Sequence, residues 1–139
     1  MAVIEISFDL SRIDFDRTSD EIRQSYWGRA RNDDLNRRAL DNSLCVGAYL
    51  DGKQVGFARV VTDYACFAYV CDVIVWAEHR GLGIGKTLIQ ALLDHPELQS
   101  VTGWSLRTSD AHSLYEKFGF VTSADGMYMR FARQPAAQA

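Results

Sequence analysis

The chain has 139 residues, 47% of them hydrophobic and 24% charged, with a formal net charge of −3. That length suits one domain with its own core, and two prolines exclude a proline-rich disordered chain. The mild acidity argues against a nucleic-acid partner and is compatible with an amine-bearing substrate.

The N-terminal run Met1–Asp16 lacks the basic start and long apolar stretch of a signal peptide. The longest apolar run, Ala65–Cys71, is far short of a membrane helix of roughly 20 residues, so no membrane partner is expected. Cys45, Cys66 and Cys71, with His79, His95 and His112, show no zinc spacing, and no metal is expected. Each cysteine has apolar neighbours and reads as a small buried hydrophobe, a usage that suits the cytoplasm.

In chain order, residues 3–8 read as a first strand. Thr18-Ser19-Asp20-Glu21 reads as a capping box opening a helix to about Trp27, with Gly28 ending it. Asn32 caps a second helix to about Leu40, with Leu35, Ala39 and Leu40 inward. Leu44–Leu50 is a strand, Asp51-Gly52 a hairpin turn, and Gln54–Val61 the return strand. Cys66–Trp76 reads as a central strand buried on both faces. A helix over Gly83–Leu93 stops before His95-Pro96, and Val101–Leu106 is a further strand. Ala111, Leu114, Tyr115 and Phe118 have helical spacing, with Gly119 at the C-terminal turn. Phe120–Ser123 and Met127–Phe131 read as a last hairpin across Asp125-Gly126. The expected architecture is α/β, a mixed sheet with helices on both faces. Residues 1–133 form the domain, and 134–139 are expected to be a flexible tail.

The segment Val73–Leu88 carries the chemistry. A buried strand leads into glycines at 81, 83 and 85, and these open a helix. Amides at such a start have no backbone partner and favour an anion. Arg80 and Lys86 add positive charge. A phosphate or pyrophosphate site follows. A P-loop would need its first glycine at Arg80, and a dinucleotide fingerprint would need its last at Lys86, so each fails by one residue. Arg-x-x-Gly-x-Gly fits in full, as Arg80, Gly83 and Gly85.

That pattern resembles motif A of the GNAT N-acetyltransferase superfamily. Downstream, Leu114-Tyr115-Glu116-Lys117-Phe118-Gly119-Phe120 resembles a second motif of the same family, with Ala111 at its small position. The order of elements is similar over about residues 3–131, which implies splayed central strands. The resemblance implies acetyl-CoA as co-substrate. Its pyrophosphate would rest on Arg80, Gly81, Leu82, Gly83, Ile84, Gly85 and Lys86, with Thr87 in reach. Its pantetheine arm would lie along the backbone of Val73, Ile74 and Val75. The family often has Asn where Thr108 stands, which shortens the reach of that contact. Tyr115 falls on the position of a frequent general acid that protonates the departing thiolate.

Asp72 enters a buried strand, and a buried carboxylate needs a reason. It reads either as the base or anchor for the amine, or as a charge paired with an arginine such as Arg59. Glu78 is the alternative base, and His79 borders the coenzyme turn. Tyr26, Trp27 and Arg29 lie where similar proteins cover the acceptor. The run Arg29, Arg31, Arg37 and Arg38, interleaved with Asp33, Asp34 and Asp41, reads as a solvated face.

The expected function is direct acetyl transfer to a primary amine of a small molecule. The alternatives are a non-catalytic acyl-CoA sensor, an acetyltransferase acting on protein N-termini or lysines, and a P-loop nucleotide module. Homodimers are common in the family, and the resemblance carries that assembly over as an expectation.

Overall fold

Strands β1 (Glu5–Ser7), β2 (Leu44–Leu50), β3 (Lys53–Thr62), β4 (Phe67–Val75) and β5 (Gly103–Leu106) form one sheet in that order. The first three junctions are antiparallel and β4–β5 is parallel, so the sheet is mixed, as expected. Parallel neighbours need a crossover, and helix α3 (Ile84–Leu93) supplies it. The β2–β3 hairpin turns on Asp51 and Gly52, whose φ values of 51° and 78° suit a tight primed turn. The computed structural model describes residues 3–133, and the expected tail at 134–139 lies outside them. Contacts divide the chain into two compact units, Met1–Thr108 and Ser109–Ala139.

Helical segments meet both faces of the sheet in the first unit. Gly56 faces α3: a Cβ there would sit 3.2 Å from Ile84 Cγ2 and 3.2 Å from Leu88 Cδ1. Side chains alternate along a strand, so Phe57 and Arg59 point to the opposite face. There the connection between α1 (Phe15–Gln24) and α2 (Asp33–Asp41) meets the sheet through Asp72. The core joins Ile22 and Leu40 from these helices, Val46, Phe57 and Val60 from the strands, and Ile84, Leu88 and Leu92 from α3. Burying one such side chain contributes about 1.5–3 kcal/mol.

Helix α1 begins earlier than the capping box predicts. Asp14 is its N-cap, accepting from the Arg17 amide at 3.2 Å. Thr18 and Ser19 then fall inside the helix and are buried. Thr18 Oγ1 accepts from Gln54 Nε2 at 3.0 Å, and Ser19 Oγ donates to Asp33 Oδ1 at 2.7 Å. These hydroxyls tie α1 to β3 and α2 instead of capping. The helix ends at Gln24, before Gly28. Gly28 is buried because a Cβ would lie 2.2 Å from the Ile22 carbonyl oxygen.

Helix α2 starts as expected, with Asn32 Oδ1 accepting from the Leu35 amide at 2.9 Å. Leu40 is buried, but Leu35 is exposed and Asn36 takes the inward position. Asn36 Nδ2 donates to Ser19 Oγ at 2.9 Å, so a polar α1–α2 contact replaces the apolar one. Cys45 is buried as predicted, and burial pushes its thiol up to about 12. Cys66 is exposed, contrary to expectation. It lies in the β3–β4 turn, where Asp63 Oδ1 accepts from the amides of Ala65, Cys66 and Phe67.

The second unit holds α4 (His112–Glu116). Ala111, Leu114, Tyr115 and Phe118 are its more covered residues, following the predicted spacing. Gly119 has φ 95° and Phe120 N donates to the Tyr115 carbonyl at 3.3 Å, a helix-ending turn. The expected hairpin over 120–131 is not formed. Asp125-Gly126 does turn, with Met127 N donating to Asp125 Oδ1 at 3.0 Å, but the flanking residues pair in no ladder. Val121, Met127, Met129 and Phe131 are exposed, so this segment lacks the buried face that would hold a two-stranded hairpin together.

Candidate active site

The pairing of β4 with β5, the last strand in the sheet order, is short. Pairing of β4 with β5 runs from Phe67–Gly103 to Val70–Leu106 and stops there, while β4 continues to Val75. On its other side β4 stays paired to β3, but with a bulge. Phe57 faces Ile74 and Arg59 faces Cys71, so Ala58 alone stands opposite Asp72 and Val73. Two residues against one bend a strand and re-aim a side chain. Asp72 takes the strain, with φ 50°; aspartate is among the few residues that tolerate this region. Val73, Ile74 and Val75 follow, on the stretch that has left β5.

Beyond Val75 the chain makes the glycine turn. Gly81 and Gly83 have φ 83° and 77°, and a Cβ on either would meet nothing within 4 Å. The space is open, and the backbone conformation is what asks for glycine. Gly83 is the N-cap of α3, with no side-chain cap. The first main-chain bond of the helix runs from Thr87 N to the Gly83 carbonyl at 3.1 Å. The amides of Ile84, Gly85 and Lys86 therefore precede the helical ladder, and the helix dipole adds positive potential there. Arg80 and Lys86 are exposed beside them, with Leu82 and Thr87. Arg80 Nε donates to the Val75 carbonyl at 3.2 Å, pinning the turn to the end of β4. Thr87 Oγ1 donates to the Gly83 carbonyl at 3.1 Å. Uncapped amides, flanking cations and open space fit a pyrophosphate.

At the other end of the bulge Asp72 is a hub. Its side chain is 2% exposed. Oδ2 accepts from Arg59 Nε at 2.6 Å, while Oδ1 accepts from Arg31 Nη2 at 2.5 Å and from Trp27 Nε1 at 2.7 Å. Burial alone would push this carboxyl up, but Arg31 and Arg59 outweigh it and hold it below the usual carboxylate range. A carboxylate so held is a poor acceptor for an ammonium proton, and the geometry favours the ion-pair reading. Arg59 Nη1 also donates to Ser43 Oγ at 2.9 Å, joining β3 to the segment before β2.

Arg31 is the residue that sequence reasoning missed. It sits in an arginine run that looked solvated, yet it reaches the buried carboxylate. The others of that run behave otherwise: Arg29 and Arg38 are exposed, and Arg37 lies over the Phe15 ring at 3.6 Å. The only signal was Asp72 itself, a buried acid in need of cations. Tyr26 and Trp27 are half-exposed, their rings edge to face with centroids 4.9 Å apart. Glu78 is paired with Arg17 at 3.0 Å. Its own backbone amide and Arg17 hold its carboxyl below the usual range, which suits it poorly as a base. His79 Nδ1 is buried without a hydrogen-bond partner. Thr108 follows the end of β5 and is partly buried. Tyr115 belongs to α4 in the second unit, its ring edge-on to Phe120 at 5.9 Å.

Residues 41–122 match the family model described as an acetyltransferase (GNAT) domain. The chain belongs to the GNAT acetyltransferase family. A GNAT-family protein of known structure from Xanthomonas campestris pv. campestris is similar at 41% identity, with a TM-score of 0.89 and 95% of each chain covered. The uncharacterized N-acetyltransferase ycf52 of Pyropia yezoensis is 34% identical over 97 residues, covering 64% of this chain and 55% of the relative. An aminoglycoside N-acetyltransferase solved in complex with CoA shares the fold, with a TM-score of 0.67 and 16% identity over 94% of this chain and 96% of that one. The chain spans only 30% to 55% of the length of the curated relatives it matches. Among the described residues of this GNAT chain, no helix is long and apolar enough to cross a membrane. No cluster of His, Cys, Asp and Glu among them could hold a metal ion.

Proposed function

We propose that this GNAT chain moves an acetyl group from acetyl-CoA to a primary amine of a small molecule by direct attack in a ternary complex. The observation that carries the reading is the uncapped start of α3 on two left-handed glycines, just past a strand whose last residues have no partner in β5. The CoA complex of the aminoglycoside N-acetyltransferase of the same fold supports the choice of co-substrate.

Acetyl-CoA supplies an activated thioester when bound. The amides of Ile84, Gly85 and Lys86, with Arg80, hold its pyrophosphate, and the backbone of Val73–Val75 binds its arm. Thr108 adds a hydroxyl, and Thr87 does so on letting go of the Gly83 carbonyl. Holding amine and thioester together supplies much of the rate. Tyr115 gives a proton to the departing thiolate. A phenol, ordinarily near pKa 10, can still donate to the thiolate as a positioned acid, worth roughly 10²–10⁴ in rate. Asp72 keeps its charge and orders the acceptor side.

The test is thiol release from acetyl-CoA across a panel of small primary amines, with Tyr115→Phe beside the wild type. The reading expects turnover with at least one amine. It also expects kcat reduced by about 10² or more in the variant, with the Kd for acetyl-CoA unchanged. Turnover by Tyr115→Phe at the wild-type rate would remove the tyrosine from its role. Acetyl-CoA binding with no turnover of any amine, but acetylation of peptide N-termini or lysines, would move the acceptor to proteins.

A further inference from the structure

Trp27 is tethered at the place where β4 leaves β5. The last β4–β5 pair is Val70–Leu106, and Asp72 follows two residues later. Trp27 Nε1 donates to Asp72 Oδ1 at 2.7 Å, and the same oxygen accepts from Arg31 Nη2 at 2.5 Å. One oxygen thus holds both ends of the segment Trp27–Arg31. The opposite oxygen is fixed by Arg59. A buried carboxylate with three donors has little freedom, so the indole plane inherits a set orientation.

Despite this anchor, Trp27 as a residue remains 45% exposed, and Tyr26 beside it 49% exposed. Their rings stand at 86°, which forms a corner of two aromatic walls. Toward the start of the same strand the exposed surface is apolar as well. Cys71 pairs with Arg59 and Tyr69 with Val61, so Val61, Tyr69 and Phe67 share the Arg59 face of the sheet by strand alternation. Phe67 and Tyr69 stack at 6.4 Å, and Phe67 and Val61 are exposed. A tethered, half-exposed aromatic corner, set on the strand that leads to the glycine turn, is a surface that gains by covering flat apolar groups. The glycine turn lies at the far end of the same strand, so a donor bound there leaves this end for the acceptor.

We infer that Trp27, oriented by the Asp72 carboxylate, is a specificity-determining residue that selects acceptor amines carried on a flat, apolar group. The inference rests on the acetyl-transfer reading, which it deepens by naming the acceptor's class. Asp72 is a positioning residue in it, acting through Trp27.

The experiment compares phenethylamine with ethanolamine as acceptors for wild type, Trp27→Ala and Trp27→Phe. The ratio of kcat/KM for the two amines is the readout, with acetyl-CoA affinity measured for each variant. The wild type should favour phenethylamine. Trp27→Ala should lower that ratio about tenfold, a size typical of a lost aromatic contact. Trp27→Phe, which keeps a flat ring but not the N–H that Asp72 holds, should restore only part of it. Acetyl-CoA affinity should be the same in all three. An unchanged ratio in Trp27→Ala, or a ratio in Trp27→Phe equal to that of the wild type, overturns the inference. A second readout is the indole N–H resonance of Trp27 in the acetyl-CoA-bound protein, identified by its loss in Trp27→Phe. Phenethylamine should shift it and ethanolamine should not; no shift with phenethylamine overturns the inference. Failure to acetylate any amine while that shift is seen would instead overturn acetyl transfer and leave the binding preference standing.

Discussion

Arg59 and Asp72 meet across the β3–β4 ladder, Nε to Oδ2 at 2.6 Å, where the left-handed backbone of Asp72 breaks the pairing register. The bulge and the ion pair belong together. The extra residue turns the carboxylate toward the arginine face, and the cations make its burial tolerable. The other oxygen, Oδ1, gathers Trp27 and Arg31 from the α1–α2 connection.

Asp72→Asn removes the charge but keeps the shape. Breaking one partner of a buried pair costs about 3–5 kcal/mol, so urea denaturation at pH 7 should show a loss of that order. The folded carboxyl lies below its unfolded value of about 3.9. Its stabilisation is therefore fully present above that pH and is lost as pH falls through the folded value. The gap between wild type and variant should close as pH is taken below about 4. A gap that stays constant from pH 7 to pH 3 would show that the charge contributes nothing.

The start of α1 offers a local test. Asp14→Ala should cost about 1 kcal/mol, the usual loss for an N-cap, because Asp14 Oδ1 holds the Arg17 amide. Thr18→Val should also destabilise, by leaving Gln54 Nε2 without one of its acceptors. In a peptide of residues 9–27 the Asp14 variant should lose helix by circular dichroism, and the Thr18 variant should not lose it through capping. Equal helix in the wild-type and Asp14→Ala peptides would contradict the assignment.

The cysteines should react in a fixed order. Cys66 is exposed, Cys71 is partly covered with its thiol pushed up by burial, and Cys45 is buried with its thiol near 12. Thiolate is the reactive form. Brief alkylation of the native protein at pH 8 should label Cys66 first and Cys45 only after unfolding, as read by peptide mass spectrometry. Early labelling at Cys45 would contradict the core described here.

Much of this was legible because its signals are local. Leu44–Leu50, the Asp51-Gly52 turn, the Asn32 cap and the glycine start of α3 each depend on a few consecutive residues, and each lies where the sequence predicts. Other features needed the third dimension. The structure caps α1 at Asp14 instead of Thr18, whose contact with Gln54, 36 residues away, is invisible in the local pattern. Leu35 and Asn36 exchange places because Asn36 finds a polar partner in Ser19. In the site, the glycine turn was readable from spacing. Arg31 was not, since its partner is 41 residues distant. The last hairpin shows the opposite error: a good turn at Asp125-Gly126 does not make strands without a face to bury.

The central claim is that the turn from Arg80 to Lys86 cradles the pyrophosphate of acetyl-CoA. Calorimetric titration of the wild type and Gly83→Asp with acetyl-CoA tests it most directly. A side chain at φ 77° strains the turn, and a carboxylate there repels an anion at the helix start. Saturable binding by the wild type, lost in a variant that stays folded by circular dichroism, is the predicted result. A folded wild-type protein that does not bind acetyl-CoA would contradict the account.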